Sequence, residues 1–399
     1  MKRQLVIIGG GPAGLSAAIE AYLLGVEDVL LIEREHELGG ILNQCIHSGF
    51  GIHEFGEELT GPEYASRLVE ALKETAVEVW SSSSVIEIAP HKELIILRQG
   101  SRISVEAEAV ILATGCRERT PGAISLLGER PAGMYLAGAA QKMINLEGLS
   151  LGTKALIYGS GDIGLIMARR LTLEGVEVQG VVEISAVSSG LERNITQCLQ
   201  DFDIPLYLNT RIKQVLGRDH LTGVLIENLV TNEVEEIACD LLLLSVGLIP
   251  EIDLVQSYLA LDEKGKLMVD ERRETQLDGF FACGNALHVH DIVDDVSEEA
   301  RIAARGAKDY LEGRRRASQH RILAGEKVLT VIPQSYGSSS VEIYLRSTET
   351  LKGARVQLKR EEEILFEKKV PLLIPSQLFH LKLPKDLHLS GDITLEIVP

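Results

Sequence analysis

Cysteine pairs, basic residues and long apolar segments are all in short supply in this chain. Its 399 residues include five scattered cysteines, and no C-x-x-C spacing occurs. An odd number of unpaired cysteines argues against a disulfide framework and predicts reduced thiols. The longest apolar run, around Leu241 to Leu244, is far too short to cross a bilayer, and a strand-like segment follows Met1 so closely that no room is left for a signal peptide. We therefore expect a cytoplasmic protein without membrane insertion.

The charge balance excludes further classes of partner. The chain has 40 Lys and Arg residues against 58 Asp and Glu residues, which gives a formal net charge of −18. The phosphates of a nucleic acid would be repelled, and so would an anionic membrane surface. With 45% hydrophobic and 25% charged residues the composition is that of a globular protein, and the length predicts two or three domains.

One glycine pattern occurs twice. Gly9-Gly10-Gly11-Pro12-Ala13-Gly14 follows the apolar run Leu5 to Ile8, and Gly159-Ser160-Gly161-Asp162-Ile163-Gly164 follows Ala155 to Tyr158. Each pattern precedes an apolar-periodic segment and a second strand-like run ending in an acid, Glu33 or Glu183, 24 positions after the first glycine. A single G-x-G-x-x-G is weak evidence, but two copies in the same strand–turn–helix–strand–acid context predict two dinucleotide sites.

The spacing has a physical reason at each position. The first glycine permits a tight turn, the second lets the backbone approach a pyrophosphate, and the third allows close helix–strand packing. The pyrophosphate then lies at the positive end of a helix, where Pro12 is well suited to the first position. A terminal carboxylate can accept hydrogen bonds from ribose hydroxyls. Glu183 would repel a 2′-phosphate, and no arginine follows it directly, which favours NAD(H) over NADP(H).

The remaining segments predict an α/β core followed by a β domain. Short alternating strands are expected at Val77–Trp80, Val85–Ile88, Leu94–Arg98 and Arg102–Glu106, and a buried strand is expected from Ala109 to Gly115. A connector spans about 121 to 150, and a helix is expected from about 297 to 311 with Asp295 and Glu298 as a capping box. After about residue 322, six alternating segments predict a small antiparallel β domain without cysteine.

The order of these motifs resembles the two-dinucleotide-binding flavoprotein superfamily, which includes thioredoxin and glutathione reductases and NADH peroxidases. The match covers about residues 3–312. The resemblance implies FAD at the first glycine motif and NAD(P)H at the second, in a flavin domain whose last strand and helix return after the nicotinamide domain. Residues that would contact FAD are Gly9, Gly11, Pro12, Ala13, Gly14, Glu33, Arg34, Gly40, Ala113, Thr114, Gly115, Gly284 and Asn285; those that would contact NAD(H) are Gly159, Gly161, Asp162, Ile163, Gly164, Glu183 and Gly247.

One position departs from the family pattern. The superfamily usually has Asp where this chain has Asn285, but an amide can also hydrogen-bond a ribityl hydroxyl. Three longer strings, beginning at Gly39, Ala113 and His288, are similar to a subgroup of FAD- and NAD-dependent subunits. This subgroup includes subunits of opine, proline and cyanide-forming glycine dehydrogenases, and proteins that accompany glycerol-3-phosphate-dehydrogenase-like flavoproteins. The likeness implies an electron-transfer partner of another redox subunit.

The candidate catalytic residues are Cys45 and His47. Disulfide reductases of this superfamily place a redox-active cysteine pair in the region after Gly40, but Cys45 has no second cysteine within seven residues on either side. Cys45 could act alone, as the single thiols of NADH peroxidases do, with His47 lowering its pKa. The alternative is an inert thiol that fills apolar space near the cofactor.

The H-x-H-D string at His288, His290 and Asp291 is the remaining candidate for a special site. Ligands so crowded in sequence rarely define a metal site without more distant partners, so we predict no metal. We interpret the string as a turn that covers the flavin and leads into the helix at 297.

The predicted fold is therefore α/β, with two Rossmann-like nucleotide domains and a small C-terminal all-β domain. The FAD domain would comprise residues 1–120 and 270–318, the NAD(H) domain with its connector 121–269, and the β domain 322–399. The predicted function is an FAD-containing oxidoreductase that exchanges hydride with NAD(H) and passes electrons to or from a partner redox protein or flavin dehydrogenase subunit. Two alternatives stay open: a single-cysteine NADH peroxidase or disulfide reductase using Cys45, and a non-catalytic flavin- or NADH-binding scaffold. A homo-oligomer is possible.

Overall fold

The structure, a computed structural model, describes residues 1–314, 319–337, 341–384 and 387–398. Its helices are α1 (Pro12–Leu23), α2 (Gly61–Lys73), α3 (Ala137–Asn145), α4 (Asp162–Leu173), α5 (Glu192–Cys198) and α6 (Val293–Leu311). Its strands are β1 (Lys2–Ile8), β2 (Val29–Ile32), β3 (Ser48–Phe50), β4 (Leu59–Thr60), β5 (Glu78–Trp80), β6 (Ser83–Ile88), β7 (Glu93–Arg98), β8 (Ser101–Leu112), β9 (Cys116–Glu118), β10 (Met134–Leu136), β11 (Lys154–Tyr158), β12 (Glu177–Val182), β13 (Leu206–Tyr207), β14 (Thr210–Leu216), β15 (Gly223–Asn228), β16 (Val234–Ile237), β17 (Leu241–Leu244), β18 (Leu248–Pro250), β19 (Phe280–Ala282), β20 (His320–Ala324), β21 (Val328–Ile332), β22 (Ser335–Tyr336), β23 (Ile343–Ser347), β24 (Leu351–Arg360), β25 (Glu363–Leu373), β26 (Phe379–Leu381) and β27 (Ile393–Val398). Short 3₁₀ turns lie at Gly40–Gln44, Gln200–Phe202 and Gly284–Ala286.

The chain divides into two compact units, residues 1–116 with 250–399 and residues 117–249. The first unit contains a sheet in the order β5-β2-β1-β8-β7-β6, and β19 also pairs with β8. Strands β5, β2, β1, β8 and β19 pair in parallel, whereas β7 and β6 extend the sheet in antiparallel fashion. The residues Leu5–Ile8 and Val29–Ile32 are buried throughout, as expected of parallel strands covered on both faces.

Strand β8 joins two segments that were predicted as separate strands. Its first half, up to Glu106, pairs with β7, and its second half, from Ala109 to Leu112, pairs with β1. The last three residues of the second half also pair with β19. One long strand therefore belongs to both the antiparallel part and the parallel part of this sheet.

Helix α6 differs from its predicted start. It begins at Val293 after the N-cap residue Ile292, and no side chain caps it. The predicted capping box does not form, because Asp295 and Glu298 both lie inside the helix. The alanines of α6 and α1 meet in one core, since small side chains allow close packing of the two helices.

The second unit repeats the same plan on a smaller scale. Its parallel sheet has the order β10-β17-β11-β12-β13, and a separate antiparallel sheet has the order β14-β15-β16. The side chains of Leu241–Leu244 alternate between two hydrophobic cores, one on each face of the parallel sheet. Together with the first unit, this arrangement confirms the predicted two-domain Rossmann-like fold class.

The C-terminal residues of the first unit form a strand-rich region, as predicted. Strands β20 and β27 pair in parallel, so the predicted purely antiparallel pairing is wrong for this pair. One sheet has the order β22-β20-β27-β24-β25 and the other β21-β23-β26, and the two share one hydrophobic core. Strands β20 and β22 were not among the predicted segments; they pair with each other in antiparallel fashion, and β22 forms one edge of the first of these sheets.

Residues 250–269, which the sequence assigns to the central domain, lie in the first unit. Val255, Leu259 and Leu267 are buried there against the first sheet. The boundaries of the ligand-binding domains themselves stay a prediction. None of the helices in the described ranges has the length and apolar character needed to cross a membrane.

Candidate nucleotide-binding sites

The first glycine turn connects β1 to α1. Gly9 has a φ of +108°, and a Cβ there would lie 2.3 Å from the carbonyl oxygen of Ala113. A Cβ on Gly14 would lie 1.7 Å from the carbonyl oxygen of Gly9, so α1 could not approach β1 this closely with any other residue. These two glycines are explained by the protein's own packing.

The second glycine turn, between β11 and α4, repeats this geometry. Gly159 has a φ of +105°, and a Cβ there would lie 2.0 Å from the carbonyl oxygen of Ser245. A Cβ on Gly164 would lie 2.3 Å from the carbonyl oxygen of Gly159. The two turns are therefore built by the same contacts.

The middle glycines, Gly11 and Gly161, are different. Both are helix N-caps in an extended conformation that any residue can adopt. A Cβ on Gly11 would find one atom within 4 Å, the Cα of Gly40 at 3.9 Å, and a Cβ on Gly161 would find the Ser189 Oγ at 3.6 Å. Internal packing does not require glycine here, whereas close approach of a pyrophosphate to the helix N-terminus does. The turns thus fit dinucleotides.

The acids at the ends of β2 and β12 bind their glycine turns in matching ways. The Glu33 carboxylate accepts hydrogen bonds from the backbone N–H of Gly10 at 2.5 Å and of Glu35 at 2.8 Å. Glu183 accepts from Ser160, through the backbone N–H at 3.0 Å and the hydroxyl at 2.6 Å, and from the Ser185 N–H at 2.9 Å. Both glutamate residues are 6% exposed. These bonds orient each carboxylate, and a carboxylate oxygen has a second lone pair for a ribose hydroxyl.

The structure brings the separate flavin motifs of the sequence together around the first turn. A Cβ on Gly40 would lie 2.9 Å from the Cα of Gly11, and a Cβ on Gly284 would lie 2.8 Å from the Cβ of Ala13. The Thr114 hydroxyl donates to the backbone carbonyl of Glu251 at 2.5 Å, while Gly115, with a φ of +73°, borders open space. Arg34 is exposed next to Glu33.

The remaining residues predicted for the second site have local roles. The Asp162 carboxylate accepts from the Leu191 N–H at 2.8 Å and from the Asn194 side chain at 2.7 Å, which ties the start of α4 to α5. Ile163 follows it in the first turn of α4. The Gly247 carbonyl accepts from the Arg119 N–H at 2.9 Å, and the φ of Gly247 is +105°.

The turn at Asn285 is supported by a buried charged cluster that the sequence analysis missed. The Glu299 carboxylate on α6 accepts from the Arg273 Nε at 3.0 Å and from the Gly284 N–H at 2.9 Å, and it lies 2.9 Å from the His288 Nε2. Arg273 and Glu299 are both completely buried. Their separation of 26 residues gave no periodic signal. The cluster holds the backbone of the turn directly, because one of its bonds ends on Gly284.

The same cluster offers metal-ligand atoms, from His288, His290 and Glu299, within 4.8 Å of one another. Charge balance argues against an ion there. Arg273 already neutralises Glu299, so a divalent cation would leave two uncompensated positive charges in a fully buried site. Burial alone would raise the pKa of Glu299, but the neighbouring His288, His290 and Arg273 lower it well below its usual range.

Both the oxygen and the nitrogen of the Asn285 side-chain amide have a partner. Its side-chain oxygen accepts from the His290 N–H at 3.0 Å, and its side-chain nitrogen lies 3.6 Å from the Cys116 Sγ. Residues 288–291 therefore form a turn that closes back on Asn285.

A cavity of about 760 Å³ lies beside the start of α6. Carboxylates of Asp294, Asp295 and Glu298 line it, together with the rings of Tyr344 and His380. Burial and the neighbouring Asp294 raise the pKa of Asp295. Acidic residues outnumber the two cationic ones, Arg301 and Lys382, in the lining of this cavity, which disfavours the phosphates of a nucleotide.

The structure does not support activation of Cys45. Its thiol donates to the Ile41 carbonyl at 3.3 Å, and desolvation raises its pKa to about 12. The His47 ring is tilted against that of Phe50, with 4.9 Å between the ring centroids, and its Nδ1 lies 3.1 Å from the Ser48 carbonyl. The thiol is thus protonated at neutral pH, which disfavours the single-cysteine interpretation.

The sequence model of the pyridine nucleotide-disulphide oxidoreductase family matches residues 3–307. The chain belongs to this family. Membership confirms the general class of oxidoreductase predicted above and its FAD and NAD(P)H cofactors. The finer subgroup likeness is not tested by this match.

Curated relatives of the chain include one of the subunits of alkyl hydroperoxide reductase. The protein from Staphylococcus aureus is 25% identical over 326 residues, and the one from Pseudomonas putida is 28% identical over 320 residues. Each alignment covers 77% of this chain and 59% or 58% of the relative. The chain thus spans less than two thirds of the length of these relatives.

Solved structures show the same fold. Thioredoxin reductase from T. acidophilum has a TM-score of 0.65 at 22% identity, covering 79% of this chain and 99% of that protein. An NAD-dependent persulfide reductase from A. fulgidus has a TM-score of 0.60 at 18% identity, covering 90% of this chain and 68% of that protein.

We expect Gly11→Ala and Gly161→Ala to separate the two nucleotide sites. Each methyl group fits the protein's own packing, so both variants should fold with nearly unchanged melting temperatures. Gly11→Ala should weaken FAD binding by roughly tenfold or more, a loss of about 1.4 kcal/mol or more, because the methyl group blocks the pyrophosphate. Gly161→Ala should keep FAD and raise the KM for NADH instead.

Bound FAD after gel filtration and steady-state kinetics would check this pair. Equal loss of FAD in both variants would contradict the assignment of the first turn to FAD.

His290 should make the protein acid-sensitive. Burial, with help from His288, lowers its pKa from 6.5 to about 3. Between these values the unfolded chain binds a proton that the folded chain does not, so stability falls as the pH decreases below about 6.5, by up to about 1.4 kcal/mol per pH unit. The melting temperature of His290→Gln should therefore fall less steeply between pH 7 and 5.

The exposed His388 provides the control for this prediction. His388→Gln should keep the native slope, and parallel curves for native protein and His290→Gln would contradict the prediction.

Proposed function

We propose that this family member is an FAD-containing oxidoreductase that exchanges hydride with NAD(H) and passes electrons to or from a partner redox protein or flavin dehydrogenase subunit. The observation that carries the proposal is the pair of open middle glycines, Gly11 and Gly161, in otherwise matching turns. Each leaves room for one pyrophosphate at a helix N-terminus.

Residues of the first unit would hold FAD. The N-terminus of α1 would receive the pyrophosphate, the oriented Glu33 carboxylate would accept from the adenosine ribose, and Asn285 would contact the ribityl chain. Bound FAD would supply the two-electron chemistry, and the protein would orient it and tune its electronics. Gly40 and Gly284, which pack against the first turn, would keep this cofactor in place.

Residues of the second unit would bind the nicotinamide nucleotide. Glu183 is held by three hydrogen bonds, so its carboxylate cannot easily turn away from the ribose. A 2′-phosphate would meet this fixed negative charge, which supports NAD(H) as the substrate.

The electron route supports a separate partner. Burial raises the pKa of the Cys45 thiol to about 12, and no second cysteine lies within seven residues of it. The sequence also contains no C-x-x-C, so a dithiol relay of the disulfide-reductase kind has no counterpart in this chain. Electrons would pass directly between the flavin and another redox protein.

Anaerobic mixing with NADH tests the hydride step. The visible flavin band should bleach within milliseconds to seconds in the native protein and in Cys45→Ser alike, and both should reduce an artificial dye acceptor. Loss of peroxide or disulfide reduction specifically in Cys45→Ser, with bleaching by NADH retained, would instead support the single-cysteine peroxidase or disulfide reductase. An unbleached band in the native protein would support the non-catalytic scaffold.

Glu183→Gln tests the choice of nucleotide. Removal of the charge should raise the ratio of kcat/KM for NADPH to that for NADH by roughly tenfold, which corresponds to about 1.4 kcal/mol. Glu192→Gln, on α5 of the same unit, makes the same change in net charge at an exposed position and should leave the ratio unchanged. Equal effects of both variants would rule out a local role for Glu183.

A further inference from the structure

The C-terminal β region contacts the turn at residues 288–291 through one face of strand β23. Tyr344 and Arg346 are two residues apart on this strand, so their side chains project to the same side. The Tyr344 ring lies 5.6 Å from the His288 ring and 6.1 Å from the His290 ring, measured between centroids. It also lies under the guanidinium of Arg273, at 5.8 Å.

Arg346 makes the polar part of this contact. Its Nη2 donates to the Val289 carbonyl at 2.8 Å and to the Asp291 carboxylate at 3.2 Å. The other oxygen of Asp291 accepts from the backbone N–H of Leu378. The turn is thus tied to the β region by a side chain from β23 and a backbone group near β26.

Further hydrogen bonds connect this turn to the predicted flavin motif at Gly284 and Asn285. The His290 N–H donates to the Asn285 side chain, and Glu299, which lies beside both His288 and His290, accepts from the Gly284 N–H. Asn285 and His290 are five positions apart in the chain and are joined by this hydrogen bond, so we expect a displacement at Asp291 to be transmitted to the Asn285 amide.

Other contacts attach the β region to the rest of the first unit at a second place. The backbone groups of Val269 bond with Gln334, through its side chain at 2.8 Å and its N–H at 3.0 Å, and the Gly337 N–H donates to Glu271 at 3.0 Å. The two places of attachment limit rotation of β23 against the turn. Tyr344 is 1% exposed, so the contact is part of the packed interior.

We propose that Arg346 and Tyr344 are positioning residues for FAD, through which the β region sets the affinity and reduction potential of the flavin. This role rests on FAD binding at the first glycine turn, as proposed above. Arg346 and Tyr344 act through the turn at 288–291 and do not need to touch the cofactor.

Arg346→Met should remove the hydrogen bonds from Arg346 to Val289 and Asp291 while keeping most of the apolar packing of the side chain. We expect the FAD dissociation constant to rise roughly tenfold, and the ratio of affinities for oxidised and reduced FAD to change by about the same factor, which corresponds to about 30 mV for a two-electron couple. Arg346→Lys, which keeps the charge, should restore part of the native potential. The KM for NADH should stay unchanged.

Arg321→Met is the matched control, because Arg321 forms an Arg–Asp pair with Asp392 that lies wholly inside the β region. This variant should leave the potential and the flavin spectrum unchanged. A double-mutant cycle of Arg346→Met with Asp291→Asn should show strong non-additivity in the FAD dissociation constant.

Equal behaviour of Arg346→Met and Arg321→Met, in both potential and FAD affinity, would overturn the inference. The inference would also be overturned if Arg346→Met and Arg346→Lys changed the potential by the same amount and the effects in the double-mutant cycle were additive. If the native protein bound no FAD, the proposed function would fail first. If the native protein bound FAD and these variants did not differ, this inference alone would fail.

Discussion

Both nucleotide turns depend on how closely a helix can approach the strand that precedes it. At Gly14 and Gly164 the helix backbone lies so near a carbonyl oxygen of the turn that no Cβ fits between them. This approach fixes where the N-terminus of each helix begins and where its unpaired N–H groups point. The oriented acids at the ends of β2 and β12 follow from it, because their carboxylates bind the backbone that this packing holds in place.

The two turns share this plan but differ in what surrounds them. Gly40 and Gly284 bring two further segments against the first turn, and the buried pair of Arg273 and Glu299 supports one of them. The second turn is bordered at Gly161 by a serine hydroxyl. A further segment, residues 188–191, also packs against the second turn through hydrogen bonds to Ser160 and Asp162.

Sequence patterns were sufficient for those features that depend on local backbone geometry. The glycine spacing, Pro12 and the acids at Glu33 and Glu183 each act within one strand–turn–helix unit, so their roles can be read from spacing alone. The cluster of Arg273, Glu299 and the two histidines could not be predicted in this way, since its members meet only after the chain has returned to the first sheet. The start of α6 was missed for a related reason: no side chain caps it, and packing against α1 determines where it begins. The high pKa of Cys45 depends on desolvation, which spacing does not reveal.

The position of β19 has a consequence for synthesis of the chain. Phe280 pairs with Val110, so the parallel sheet of the first unit remains incomplete until a further 170 residues have been made. At roughly 5 to 20 residues per second, the apolar edge of β8 waits for about 10 to 30 s on the ribosome. During this interval all of the second unit, residues 117–249, is synthesised. The unpaired edge of β8 therefore has to be kept from pairing with other chains while the second unit is being made.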